Sequence, residues 1–308
     1  MPGASSSPVV DVVIPTWNRA DLLGSCLRSL AQQDIPHRVW VVDNGSTDGT
    51  AELLEREFPE VRVLALEENQ GFGRAVNLGV DAGAADLVVL LNNDTVLLPG
   101  GLGGLVSPFV TDPSLDAVAG VLVSPDGRTV DAAGVVADRG LAGYSHLHGR
   151  PVSELGTAPD PLGPCGGAAA YRRTSFAALG GFDEELFAYG EDLDLAVRAR
   201  LAGQRCELAR GVQVLHQGSA TLGHRTVAQL RLSSWSRGYL VGRYRLGAGT
   251  VLLELGVGLV DAVRVRSAVP LVERVAGWRR GRSLPGRRWD ASAAAFGVGQ
   301  GLVRRAAA

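Results

Sequence analysis

Three acidic clusters in this 308-residue chain carry residue types that could act on a ligand, and two of them close an apolar run. The first is Val41-Val42-Asp43-Asn44-Gly45-Ser46-Thr47-Asp48-Gly49-Thr50, where the run Val39 to Val42 stops at a carboxylate. At the carboxyl end of a strand in an α/β protein, Asp43 would lie over the ligand crevice and could accept hydrogen bonds from N–H or hydroxyl groups. Asn44 and Gly45 suit a sharp turn, and Ser46 or Thr47 could cap the next helix. A capped strand–turn–helix connection without a ligand explains the same letters.

The second cluster follows Leu87 to Leu91 and reads Asn92-Asn93-Asp94-Thr95. Amide and carboxylate oxygens at a buried strand end could hold a hard divalent cation, which would neutralise a departing diphosphate; the alternative is an Asx turn. The third runs from Asp183 to Asp194 and is denser in acids than a loop needs. Glu191, Asp192 and Asp194 fall in the first turn of a helix, where the dipole favours acids. Asp192, just after Gly190, could instead project into a cleft as a general base. His216 ends a short strand and could touch a metal or phosphate, or be a hydrogen-bonded structural residue. The run Asn69-Gln70-Gly71-Phe72-Gly73-Arg74-Ala75-Val76 fails as a dinucleotide fingerprint, because Val76 takes the third glycine's place. Arg74, near a helix start, could still meet a diphosphate.

These residues need a scaffold, and the hydrophobic pattern supplies one. Apolar, β-branched runs recur at Val9–Ile14, Val39–Val42, Val61–Leu66, Leu87–Leu91 and Ala117–Val123. Helical spacing separates the first four, over Asp21–Gln33, residues 50–58 and residues 72–83. The alternation predicts an α/β fold with a mostly parallel sheet and helices on both faces. The rhythm breaks after about residue 95. Residues 124–164 read as loops and short strands, a second ordered block begins at Cys165, and Gly190–Ala202 is a helix.

Charge divides the chain. Residues 1–230 carry 16 Arg against 28 Asp and Glu; residues 231–308 carry 14 Arg against 4. The basic tail suggests an anionic partner such as a membrane surface. In it, Trp235, Arg237, Tyr239, Arg243, Tyr244 and Arg245 precede an apolar segment, 246–263, interrupted by Glu254 and Asp261. That segment falls short of a spanning helix. It suits a helix lying on a membrane, or a helical extension packed on the catalytic domain or on a second copy in a homodimer. Cys26, Cys165 and Cys206 give neither a metal pattern nor a disulfide framework. Met1 to Ser7 lacks the features of a signal peptide, so the expected location is cytoplasmic, with peripheral association at the inner membrane face.

Taken in order, Val13-Ile14-Pro15-Thr16-Trp17-Asn18-Arg19, Val41 to Thr50, Asn69 to Gly79, Leu91 to Thr95, Gly180 to Glu184 with Gly190 to Asp194, and Leu215-His216 resemble the family-2 inverting glycosyltransferases of GT-A fold. The subgroup they most resemble is the bacterial rhamnosyltransferase-like enzymes of surface polysaccharide synthesis. The resemblance spans residues 9 to about 220. It implies a catalytic domain over 1–225, with a nucleotide-binding half at 9–95 and an acceptor half at 96–225, and a basic, amphipathic helical extension over 226–308. Pro15, Thr16, Asn18, Asn44 and Asn93 would line the donor pocket, Asp43 would bind the pyrimidine base, and Arg74 would lie near the ribose or diphosphate. Asn92 and Asp94 would hold Mg²⁺ or Mn²⁺, with His216 as a further metal or diphosphate contact. Gly166, Gly167 and Glu191 would receive the acceptor, and Asp192 would deprotonate it. The implied partners are a dTDP- or UDP-sugar and a glycan or lipid-linked acceptor, with no nucleic acid. Many relatives have Asp where this chain has Asn92. That departure supports one alternative from another class, a nucleotide-sugar-binding scaffold without turnover.

Overall fold

A computed structural model describes residues 9–217 and 226–295. Residues 218–225, where the expected boundary between catalytic domain and extension falls, lie outside the described residues, as do 296–308.

The first half alternates as its periodicity predicts: β1 Val10–Thr16, α1 Ala20–Leu30, β2 His37–Asp43, α2 Thr50–Glu57, β3 Arg62–Ala65, α3 Phe72–Ala82 and β4 Leu87–Leu91. β1 to β4 run parallel in the order β3-β2-β1-β4. β1 and β4 are buried at every position, as strands covered on both faces should be. The two-residue side-chain period sorts β1 between two cores. Val10, Val12 and Ile14 pack with Leu23, Cys26, Leu27 and Leu30 of α1. Val13 faces the other way, toward Ala75, Val76 and Val80 of α3. That second contact is close: a Cβ at Gly79 would lie 2.4 Å from Val13 Cγ1.

After residue 95 the structure holds more than the sequence pattern predicts. β5 Thr95–Leu97 and α4 Gly101–Thr111 follow directly, then β6 Ala117–Val123. α4 escapes a propensity reading because Gly101, Gly103, Gly104 and Pro108 are poor helix formers. Its place is won by burying Leu102, Leu105, Val106 and Phe109. Residues 124–164 contain β7 Val130–Ala132, β8 Val135–Ala137, β9 Gly143–Ser145 and a 3₁₀ turn. β10 Ala168–Arg172, α5 Arg173–Ala178, α6 Glu191–Leu201 and β11 Cys206–His216 complete the body. β10 inserts antiparallel between β4 and β6, and β11 runs parallel to β6. β11 exceeds the four-residue strand expected before His216. A register shift between Leu208 and Gln213 divides it, so only its second part shows a clean apolar run.

The described part of the tail is helical and touches the body. α7 Val227–Arg243 packs on the body, and α8 Ala248–Arg264 and α9 Val269–Ser283 pack on α7. α7 and α9 meet at glycines: a Cβ at Gly238 would lie 1.9 Å from the Arg274 carbonyl oxygen, and one at Gly277 would lie 2.0 Å from that of Trp235. Tyr239 donates to Asp183 at 2.8 Å, Tyr244 donates to Asp194 at 2.8 Å, and Arg287 reaches both carboxylates. The tail's aromatic and basic side chains were expected either to face an anionic membrane or to pack on the catalytic domain or a second copy. Tyr239 and Tyr244 point inward, because the acid-dense segment 183–194 receives them. Part of the charge contrast between body and tail is thereby neutralised within the molecule.

Candidate active site

The parallel register sets Thr16 beside Asp43 at the carboxyl ends of β1 and β2. Asp43 is buried. One carboxylate oxygen accepts from the Ser46 N–H at 3.0 Å, and the other takes no hydrogen bond among the described residues. Ser46 and Thr47 do not cap α2, contrary to expectation; the position before that helix is Gly49. They hold the neighbouring loop instead. Asn18 N–H donates to Ser46 Oγ at 2.8 Å, and Thr47 N–H donates to Asn18 Oδ1 at 2.9 Å. Asp48 accepts from Ala20 N–H at 2.9 Å. These tethers keep Asn18 and Arg19 left-handed, at φ 58° and 64°, a conformation that costs a side-chain-bearing residue about 1 kcal/mol. Asn93 Nδ2 donates to Thr16 Oγ1 at 2.8 Å, tying β4 to this corner, and Pro15 is buried beneath it.

Asn44 is engaged elsewhere. Its amide donates to Asn69 Oδ1 and the Gly71 carbonyl at 3.0 and 3.1 Å, and its oxygen accepts from Gln70 N–H at 2.8 Å. It therefore shapes the loop ahead of α3. Gly71, at φ 91°, lets that loop press on Phe187, whose carbonyl accepts from Phe72 N–H at 2.7 Å. Arg74, half exposed, pairs with Glu184 at 3.1 Å. Exposed pairs of this kind contribute under about 1 kcal/mol, so the guanidinium is readily exchanged to a stronger anion.

Asp94 is 9% exposed, and its Oδ1 is buried without a hydrogen-bond partner among the described residues. Such an orphan costs about 1–3 kcal/mol and fits a carboxylate awaiting a cation. β11 pairs antiparallel with β5, which places His216 against Thr95 and its Nε2 3.4 Å from Asp94 Oδ2. The other ring nitrogen is held by Asp131. Burial alone would lower the His216 pKa, but Asp131 and Asp94 outweigh it and raise it to about 9. At neutral pH His216 is an imidazolium between two carboxylates, suited to a diphosphate; it would act as a metal ligand only after losing that proton. No group of three His, Cys, Asp or Glu arranged to hold a metal occurs among the described residues. Asn92 and Asp94 could supply at most a partial shell, of the sort that substrate phosphates and waters complete around Mg²⁺.

Gly166 and Gly167 join this corner to the acid pair. Asn92 N–H donates to the Gly167 carbonyl at 3.1 Å, and a Cβ at Gly167 would lie 3.3 Å from Asn92 Nδ2. One residue earlier, Gly166 N–H faces the Asp192 carboxylate, and a Cβ there would meet the Phe72 ring at 2.9 Å and Glu191 Oε1 at 3.9 Å. Asp192 also accepts from Leu193 N–H at 2.7 Å. Tyr189 and Gly190, at φ 68° and 88°, turn the chain so that α6 begins there. Glu191 is buried and its Oε2 has no partner. Burial, then the charge of Asp192, raises its pKa to about 8; burial raises that of Asp192 too.

The raised acid has a measurable consequence. Folded Glu191 keeps a proton that the unfolded chain releases near pH 4.5, so stability falls as pH rises from about 4.5 to about 8. His216 has the same sign, but only from 6.5 to about 9. Glu191→Gln should therefore flatten the decline of Tm between about pH 4.5 and 6.5, below the range in which His216 contributes. An unchanged slope in a thermal-unfolding series would refute the assignment.

The structure brings Pro15, Thr16, Asn18, Asp43 and Asn93 together, and joins Asn92, Asp94 and His216 to Gly166, Gly167, Glu191 and Asp192. Arg74 stands apart with Glu184. Sequence reasoning missed Asp131, a lone acid in a stretch without pattern, brought near His216 by the pairing of β7 with β6. It also missed the tethering roles of Asp48 and Asn69.

Comparison with known proteins adds a lineage to this geometry. Residues 11–180 match the family described as glycosyl transferase family 2. An N-acetylglucosaminyl-diphospho-decaprenol L-rhamnosyltransferase of Mycobacterium tuberculosis is 31% identical over 247 residues, covering 72% of this chain and 80% of that one. The fold is similar to a mannosyltransferase, PcManGT of Pyrobaculum calidifontis, solved with GDP-Man and Mn²⁺ (TM-score 0.56, 21% identity, 98% and 80% coverage). It is also similar to GalNAc-T7 solved with UDP, GalNAc and Mn²⁺ (TM-score 0.58, 15% identity, 89% and 57% coverage).

Proposed function

Because the chain belongs to glycosyl transferase family 2 and has the GT-A fold, we propose that it is an inverting, divalent-cation-assisted enzyme. It moves a hexose, with rhamnose the leading candidate, from a dTDP- or UDP-sugar to a glycan or lipid-linked acceptor of cell-wall or surface polysaccharide. One observation supports the reading: Asp192 and Asn92 contact adjacent residues, Gly166 and Gly167, of a single backbone segment. A general base and a diphosphate-neutralising corner then flank one bond. Their union in a relative of a rhamnosyltransferase favours catalysis over a binding-only scaffold.

In this reading residues 9–95 take the nucleotide, with the free oxygen of Asp43 accepting the ring N–H of the base and Thr16, Asn18 and Asn93 walling the pocket. Residues 96–225 take the acceptor, and the tail braces them. Glu191, protonated below about pH 8, donates a hydrogen bond to an acceptor hydroxyl. Asp192 removes the proton as the acceptor oxygen attacks the anomeric carbon opposite the diphosphate, so configuration inverts; the transition state has oxocarbenium character. His216 meets the departing diphosphate, and Arg74 reaches it only by leaving Glu184. A divalent cation bound at Asn92 and Asp94 would supply further charge neutralisation. Among the described residues no helix is long and apolar enough to cross a membrane, and we place the enzyme peripherally at the cytoplasmic face. Incubation with Mg²⁺ or Mn²⁺ and a panel of nucleotide sugars tests the proposal by mass spectrometry. A UDP- or dTDP-sugar should be consumed, and failure to bind or hydrolyse any member would overturn it.

A further inference from the structure

α8 is built inside out. On a surface helix the apolar stripe normally faces the core and the charges face water. Here the buried side carries Glu254 (7% exposed), Gly258 and Asp261. Glu254 accepts from Arg237 of α7 at 2.8 Å and from Arg274 of α9, and Asp261 lies 3.7 Å from Arg274. Arg237 continues to the Gly140 carbonyl at 2.7 Å, anchoring the cluster to the body. The opposite face presents Leu252, Leu259, Val260 and Val263 at 69, 56, 51 and 71% exposure, with Val272 of α9 at 60%. At 100° per residue, Leu252, Leu259 and Val263 form one stripe roughly opposite Glu254 and Asp261.

We propose that this face docks on an anionic lipid membrane surface, with α8 lying in the headgroup plane. The choice of occupant follows from charge. Both acids of α8 are turned inward, so the exposed stripe carries none. Arg264 and Arg266 sit exposed at its end with no carboxylate partner among the described residues. Arg266 holds a left-handed φ of 50°, where glycine is cheaper; its N–H donates to the Val263 carbonyl at 3.3 Å, while its guanidinium makes no hydrogen bond among the described residues. Arg245, in the same position after α7, donates to the carbonyls of Arg282 and Leu284. A second copy would set these arginines against their own kind, whereas acidic headgroups neutralise them. The location also serves the reaction: α7, which α8 braces, packs on Ala188 and Gly190 just before the Asp192 helix. A membrane-held acceptor would then meet the cleft on its α6 side. The transferase reading enters only there; vesicle binding needs no turnover, and a chain inactive on all donors would still test the surface.

The experiment is co-sedimentation of the full chain with phosphatidylcholine vesicles with and without phosphatidylglycerol. Binding should require the anionic lipid. Leu259→Gln with Val263→Gln should weaken it at least tenfold, and Arg264→Gln with Arg266→Gln about fivefold per arginine, with circular dichroism and donor binding unchanged. Equal binding by either double variant would overturn the proposal. So would light scattering that shows a dimer in solution which the Leu259→Gln, Val263→Gln variant dissociates.

Discussion

Asp192→Asn should lower sugar transfer by about 10²–10⁴-fold, the usual contribution of a positioned general base, while donor affinity changes by less than about threefold. The asymmetry follows from location. Asp192 opens α6 and faces Gly166, on the acceptor side of the backbone segment whose next residue contacts Asn92. The donor corner of Asp43, Thr16, Asn18 and Asn93 has its own hydrogen bonds and none to Asp192. Asparagine keeps the shape, and its oxygen can still accept from the Gly166 and Leu193 N–H groups, but it cannot take a proton at neutral pH. The substitution should also shift its neighbour. Asp192's charge helps raise the Glu191 pKa to about 8, so the variant's Glu191 should ionise at lower pH. Steady-state transfer to a soluble acceptor, paired with a donor titration, gives both numbers. Equal losses of transfer and donor affinity would assign Asp192 to binding.

The parts of this site legible in the sequence are those where an apolar strand ends on a polar residue. Asp43 ends β2, whose last three residues are buried, and Asn92 follows β4, which is buried throughout, so apolar runs stop where the chain reaches the crevice. Glu191 and Asp192 were legible through Gly190, whose φ of 88° only glycine adopts cheaply. Contacts between distant segments were not legible. Asn44 looks like a turn residue, and nothing local shows that its amide organises residues 69–71. The turn hydroxyl of Ser46 reads as a helix cap because local chemistry permits it; a partner 28 residues away takes it instead. α4 was missed because burial overrides glycine and proline propensities. Whether the tail's aromatics face a membrane or pack on the body stayed open in the sequence, because composition reports which charges exist and not where their partners fold. Asp183 and Asp194 turn Tyr239, Tyr244 and Arg287 inward.

Asp94→Ala should abolish the divalent-cation dependence of donor binding without unfolding the protein. The carboxylate has a buried oxygen with no partner and lies 3.4 Å from the His216 ring, so the fold gains little from it. Removing a buried, partnerless oxygen relieves about 1–3 kcal/mol of desolvation, against the loss of one contact to an imidazolium that Asp131 still holds. Tm should therefore hold steady or rise, as substitutions at a site kept for function often allow. Cation affinity should fall more than the 10–100-fold that losing a mere supporting residue costs, because Asn92 offers only a neutral oxygen beside it. The histidine reports independently: with one of its two carboxylates gone, its pKa should drop from about 9 toward 6.5, visible in an NMR titration of the ring protons. Calorimetric titration of UDP with and without Mn²⁺ separates the outcomes. If Mn²⁺ strengthens UDP binding equally in both proteins, the cation is held elsewhere, and Asp94 serves only to place His216 against the diphosphate.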